Sequence, residues 1–371
     1  MQLGFQLSII LAGVLVATSC ALIGSFLVLR KLALVGDAIS HTVVLGIVLA
    51  ALLTGGINGI PTLLGATLVG LLTVLLIELL SGSGLVKEDA AIGLVFPALF
   101  ALGVILISRY AGDVHLDVEH VLYGEIAYTP FDRLVLAGWD LGPRTLWVLG
   151  GIGCFDLAFV LLFYKELKLA TFDPGLAAAV GISPVLMHYL LMFVVSLTTV
   201  GAFDAVGAVL VVAFLIVPPA TAYLLTDRLA VMLGISVLSG ALSAVLGYAL
   251  ARLLDASIAG SMATAAGSLF ALAFALSPRH GLITGALRAA RVRRRFAVDL
   301  LLDHLVRSER DTETQIQAEF RWSARRARAV VRDGVRRGLL RFQGARLVLT
   351  EAGRAEAAVP GPGALMTVPT E

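Results

Sequence analysis

Nine runs of about 20 apolar residues, near 6–29, 35–54, 61–80, 90–110, 145–164, 185–200, 203–225, 229–251 and 257–277, dominate this chain. Coiled into a helix, a run of that length matches the thickness of a lipid hydrocarbon core. Inside that core every backbone N–H and C=O must find a partner within the protein, which helices achieve by themselves. Hydrophobic residues make up 58% of the 371 residues and charged ones 15%, a balance no water-soluble surface needs. The expectation is an all-α polytopic membrane protein of eight or nine transmembrane helices. The count turns on "TTVGAFDAVGAV", where Val200 to Asp204 reads either as a tight turn between two spans or as a break within one helix. The first run lacks a basic leader and a small-residue cleavage site and is long for a signal sequence, so it reads as a retained span. Cys20 and Cys154 both sit in apolar runs, which leaves no prospect of a disulfide framework or a cysteine metal cluster.

Charge divides the chain in two. Up to Pro278 there are 10 Lys/Arg against 16 Asp/Glu, and from Arg279 onward 18 Arg against 10 Asp/Glu. The expected division is a transmembrane domain over 1–278, a basic linker over 279–295 that meets anionic membrane lipid, a small folded domain over 296–358 and a disordered tail over 359–371. Basic residues beside spans favour the cytoplasmic side. With the C-terminal region inside, Arg30, Lys31, Lys87, Lys165, Lys168 and Arg228 fall inside and Arg109, Arg133, Arg144 and Arg252 outside, which puts the N-terminus outside with nine spans. Residues 111–143 then form the long external segment. It carries Asp113, Asp117, Glu119, Glu125, Asp132 and Asp140, with His120 among them and Arg133 as its one Arg or Lys. Such an acidic mouth gathers cations at a pore entrance; equally, it is what an ordinary solvated loop carries.

Asp37 and His41 stand inside an apolar run at i, i+4 spacing, so on a helix they share one face. Ionisable groups in a span face a cavity or a partner. Carboxylate with imidazole suits manganese, iron or zinc and not soft copper(I). From spacing alone, a helix-locking Asp–His hydrogen bond accounts for the pair equally well. Asp204 is a second acidic residue at or near membrane depth, either a cation contact or a cap for the helix that follows.

The surrounding residues narrow the choice. "LRKLALVGDAISHTVVLG" resembles the second-span signature of the metal-ion ABC transporter permeases, which import manganese, zinc or iron: a basic pair, then Ala-Leu-x-Gly-Asp-Ala-x-Ser-His and on to Gly. "FDPGLAAAVGISPVLMHYLL" and the residues to Leu225 resemble that family's coupling segment and the spans after it. The likeness runs over roughly residues 5–277. Two positions depart from it: Leu45 stands where proline is usual, and Gly175 where an acidic residue is common.

The resemblance implies a type II ABC importer permease. Its metal pathway would include Asp37, His41 and Asp204, its acidic mouth Asp113, Asp117, Glu119 and His120, and its ATPase coupling site Phe172, Asp173, Ala177 and Gly181. The implied partners are an ABC ATPase subunit, a periplasmic or lipoprotein metal-binding protein, and a second permease, identical or not. No cofactor is held permanently; the metal is cargo and ATP is bound by the partner. The sequence agrees, since it contains no GxxxxGK[ST] phosphate loop. Phe172–Gly181 itself has the Asp-Pro start and glycine stop of a short helix, which also suits a plain connecting turn.

Beyond the basic stretch, apolar residues at 298, 301, 302 and 305 predict an amphipathic helix, "TETQIQAEF" a second, "SARRARAVVRDGVRRGLL" a third starting at Ser323, and "LLRFQGARLVLTE" a hairpin. This order predicts a winged helix, and it resembles the DNA-binding domain of iron- and manganese-dependent repressors, to which permeases of this family are sometimes fused. Its third helix bears Arg325, Arg326, Arg328 and Arg332. Protein docking or regulation, DNA binding and simple solubilisation all fit such a domain. The functional expectation is a permease of the bacterial cytoplasmic membrane with its C-terminal domain inside; the alternative is a membrane-anchored, metal-responsive transcription regulator.

Overall fold

The computed structural model describes residues 2–54, 59–110, 126–136, 139–277, 281–308 and 311–357. The chain divides into two compact units, Met1–Gly281 and Leu282–Glu371.

Among the described residues of the first unit, nine helices are long and apolar enough to cross a membrane. In chain order the helices are α1 (Gln2–Leu29), α2 (Ala33–Thr54), α3 (Gly59–Gly82), α4 (Glu88–Tyr110), α5 (Arg144–Leu162), the short α6 (Tyr164–Phe172) and α7 (Pro174–Ala179), then α8 (Pro184–Val206), α9 (Ala208–Leu225), α10 (Leu229–Leu254) and α11 (Ile258–Leu276). A small antiparallel pair, β1 (Arg133–Leu136) and β2 (Trp139–Pro143), precedes α5 and is bridged by Arg133 and Asp140 at 3.1 Å. The spans match the sequence expectation closely, with one correction. The chain does not break at Val200–Asp204: α8 runs on to Val206, and the break is Gly207 alone, at φ 77°. That left-handed conformation costs glycine little and a side-chain-bearing residue much, so one residue suffices to reverse the chain.

Cross-helix contacts fix the relative direction of several spans. Thr42 meets Thr73 and Gly46 meets Ala66, so α2 and α3 are antiparallel. Ser196 bonds to the Thr67 carbonyl and Tyr189 to Glu78, so α8 is antiparallel to α3. Ser25 bonds to Ser236 in α10, and Ser277 to the Leu224 carbonyl at the end of α9. Together with the Arg30–Thr171 hydrogen bond, these place Arg30, Lys31, Lys87, Lys165, Lys168 and Arg228 at one end of the bundle, the pattern expected from charge. Apolar solvent offers no hydrophobic drive between spans, so close packing of small residues must hold them. At Gly46 a Cβ would stand 2.4 Å from the Ala66 Cα, closer than any real contact allows.

The second unit contains α12 (Leu282–Ser308), β3 (Asp311–Thr312), α13 (Glu313–Glu319), α14 (Ala324–Arg336), β4 (Leu340–Gln343), β5 (Arg346–Leu349) and α15 (Glu351–Ala357). The strands form an antiparallel sheet in the order β3-β5-β4. Val298, Leu301, Leu302 and Leu305 of α12 close over Ile316, Val330, Val331, Leu340 and Leu347. Thr312 and Gln315 form a reciprocal capping box at the start of α13. From Leu282 onward the basic stretch is not a separate linker: it is the first half of α12, helical without interruption into the part that packs.

Candidate functional site

On α2 the side chains of Val35, Gly36, Ala38, Ile39, Ser40, Thr42 and Val43 are all buried, while Asp37 and His41 are 39% and 34% exposed. The two therefore share a half-open stripe within the closely packed stretch Val35–Val43 of the helix, whose exposed apolar residues Leu34, Leu49, Leu52 and Leu53 lie outside that stretch. His41 Nε2 lies 3.6 Å from Asp37 Oδ1, too far for a hydrogen bond. The helix-locking hydrogen bond is thus not made. The imidazole is held instead by two aromatic rings of α4, stacked on Phe96 (centroids 5.5 Å apart) and edge-on to Phe100 (6.3 Å). Two ligand atoms bound about 2.1 Å from one metal ion sit about 3.0–3.5 Å apart, so this pair is spaced much as two ligands are. Two donors fall short of the four to six a divalent ion takes. Among the described residues no cluster of three His, Cys, Asp or Glu supplies the rest.

The coupling segment has the predicted form. Asp173 accepts a hydrogen bond from the Leu176 N–H at 2.9 Å, Pro174 opens α7, and Gly181 ends the turn at φ 87°. Ala177, expected on the docking face, is instead fully buried against Ala170 and Met187 of its own chain. The exposed apolar stripe of the segment is Phe172, Leu176 and Val180, each about half exposed, Phe172 ending α6 and the other two lying on α7 and its C-cap beyond the break at Asp173. Arg30, between α1 and α2, donates from Nε to Thr171 Oγ1 at 3.0 Å, and burial lowers its guanidinium from the ordinary arginine value.

Asp204 lies in the last turn of α8, but its side chain is outside the described residues, as are Asp113, Asp117, Glu119 and His120. On α14 the exposed Arg325, Arg328, Arg332 and Arg336 line one face, whereas Arg326 stands off that face, its guanidinium 5.4 Å above the Trp322 ring.

Two intramembrane groups escaped the sequence reading. Glu78 of α3 meets both His188 and Tyr189 of α8. Asp156 of α5 is fully buried, with both carboxylate oxygens 2.9–3.0 Å from the Thr198 hydroxyl. An ionisable residue within an apolar run, the signal used for Asp37, would have found both.

Comparison with known proteins accords with this architecture. The profile of the ABC 3 transport family matches residues 2–277, and the chain belongs to that family. It is 54% identical over 286 residues to the manganese transport system membrane protein MntD of Bacillus subtilis, covering 77% of this chain and 97% of that one. It is 48% identical over 354 residues to the zinc transport system membrane protein TroD of Treponema pallidum, covering 94% of this chain and 96% of the relative. Among solved structures, PsaBC from Streptococcus pneumoniae in complex with Fab superposes with a TM-score of 0.63 at 32% identity, covering 74% of this chain and 93% of that one. The chain is a permease subunit of an ABC transporter, a nearly all-helical multi-pass membrane protein.

Proposed function

We propose that this permease imports a divalent transition metal, of the manganese, zinc or iron class, through a path lined by Asp37 and His41. The observation that carries this reading is the Asp37–His41 pair: an imidazole and a carboxylate at ligand spacing, ring-supported from α4, on the half-open stripe of α2. A pair that opens away from its own helix packing and lacks further ligands is completed by a second permease subunit, which brings another pair and raises the donor count to four. Manganese and zinc both accept this donor set, and relatives named for each stand among those similar to the chain.

The end carrying Arg30, Lys31 and Lys87 is the cytoplasmic one, by the positive-inside rule. There the Phe172–Gly181 segment docks on a separate ATPase subunit through Phe172, Leu176 and Val180, while an external binding protein hands metal to the opposite end. The C-terminal unit, whose helices and hairpin we read as a winged helix, tunes transport from inside. MntD is aligned over 97% of its length to 77% of this chain, so it has no counterpart to this unit. A modulating role suits a part that such a relative lacks.

The test is uptake of radioactive manganese and zinc by cells expressing Asp37→Asn or His41→Ala at wild-type membrane levels. Each substitution is expected to abolish accumulation of the cargo metal; wild-type uptake in either shows the pair to be structural.

A further inference from the structure

The turn between α1 and α2 is short and constrained. Lys31 takes a left-handed conformation, φ 63°, and α2 begins two residues later at Ala33. Asp37 is one turn further on. Leu29 and Leu32 pack this turn against the core, and Arg30 ties it to α6, its Nε donating to Thr171 Oγ1 in the last turn of that helix at 3.0 Å. Thr171 directly precedes Phe172, the first residue of the exposed apolar stripe. A single hydrogen bond thus joins the helix carrying Asp37 and His41 to the segment read above as the ATPase dock.

Arg30 is poorly paired for a residue that serves the fold alone. Its guanidinium offers five N–H donors, yet Nη2 is buried without an acceptor, and burial works against its charge. A half-buried guanidinium with an unpaired nitrogen lends the fold little, so an apolar side chain of similar length is expected to cost no stability. The guanidinium thus stands where the α1–α2 turn meets the last turn of α6. We propose that Arg30 is a positioning residue for transport: through Thr171 it passes displacement of the Phe172–Gly181 segment to α2, moving Asp37 and His41 as the ATPase cycles. This link rests on the reading of 172–181 as the docking segment.

The experiment uses the full transporter, permease with its ATPase partner, reconstituted in vesicles. Manganese moved per ATP hydrolysed, co-purification of the ATPase and melting temperature are all measured. Arg30→Met and Thr171→Val are each expected to lower manganese moved per ATP by about tenfold, within the range of single-site effects on coupling. Co-purification should be unchanged and the melting temperature of Arg30→Met no lower than wild type. Thr171→Ser, which keeps the hydroxyl, restores the ratio, and the double variant is no worse than either single one. An unchanged ratio in Arg30→Met overturns the link, as does loss of the ATPase from Thr171→Val. Phe172→Asp separates the underlying reading: it is expected to lose the ATPase, and if it retains the ATPase, the docking segment falls and the link with it.

Discussion

The hydroxyls of Thr42 and Thr73 lie 2.8 Å apart across the interface of α2 and α3. Because the helices are antiparallel, Asp37, five residues before Thr42, and Glu78, five residues after Thr73, both lie about 7.5 Å from that contact toward the same end. The depth of the Asp37–His41 pair is therefore set by packing between α2 and α3, and α3 brings a carboxylate to the same level.

That packing, and not the hydrogen bond, carries the interface. Each threonine hydroxyl also has a carbonyl of its own helix within reach, Ile39 for Thr42 and Val69 for Thr73, and interhelical hydrogen bonds in membranes average about 0.6 kcal/mol. Thr42→Val and Thr73→Val should each cost less than about 1 kcal/mol in a detergent unfolding titration. Gly46→Val should cost several times more or prevent folding, since its Cβ meets the Ala66 backbone. Gly93→Ala, with nothing within 4 Å, is the control and should be neutral.

Asp156 and Thr198 should be strongly non-additive. Thr198→Val strands a buried carboxyl group without its hydroxyl partner, at a cost of about 1–3 kcal/mol. Removing both partners, as in Asp156→Leu with Thr198→Val, should recover much of the loss. A double-mutant cycle on thermal unfolding checks this, and simple additivity would show that the two residues do not interact.

Phe96 should matter to transport without touching metal chemistry. Phe96→Ala removes the ring stacked on His41 and frees the imidazole to leave its position, and loss of such support for a ligand typically costs about 10-fold or more. Uptake should fall by about that factor with membrane abundance unchanged, while Phe96→Tyr stays near wild type.

In the C-terminal unit, burial raises the Asp299 carboxyl above the usual carboxylate range, with Arg295 and Arg337 opposing and Glu356 adding to the rise. The folded unit therefore holds this proton more tightly than the unfolded chain. The stability it lends is complete below the ordinary value of about 3.9 and is lost as pH rises through the raised one. Asp299→Asn should accordingly raise the unfolding midpoint of this unit at pH 7, with an advantage that shrinks toward pH 4. An advantage independent of pH would assign the effect to something other than this proton.

Span positions were legible because length and apolarity are sufficient physical causes of a membrane helix, and the Asp37–His41 pair because an ionisable residue stands out in such a run. The one-residue reversal was misplaced by a few positions: Gly201 and Gly207 look alike in sequence, and only packing decides which takes the left-handed conformation. Ala177 was assigned to the wrong face for a related reason. A six-residue helix has too few turns for periodicity to choose its buried side, and contacts from Ala170 and Met187 make the choice. The Arg30–Thr171 bond joins residues 141 apart in the chain, which no local pattern encodes.

The reversal at Gly207 makes α8 and α9 the prongs of a tuning fork whose stem is one residue long. A stem without slack converts rotation into displacement in proportion to distance. The 23 residues of α8 span about 34 Å, so each degree of tilt at Gly207 moves the far end of α8 by about 0.6 Å. Five degrees would shift it by about 3 Å, more than a hydrogen bond survives. Tyr189 and its hold on Glu78 sit near that far end, so they feel almost the whole throw of the prong while Phe203, beside the stem, barely moves.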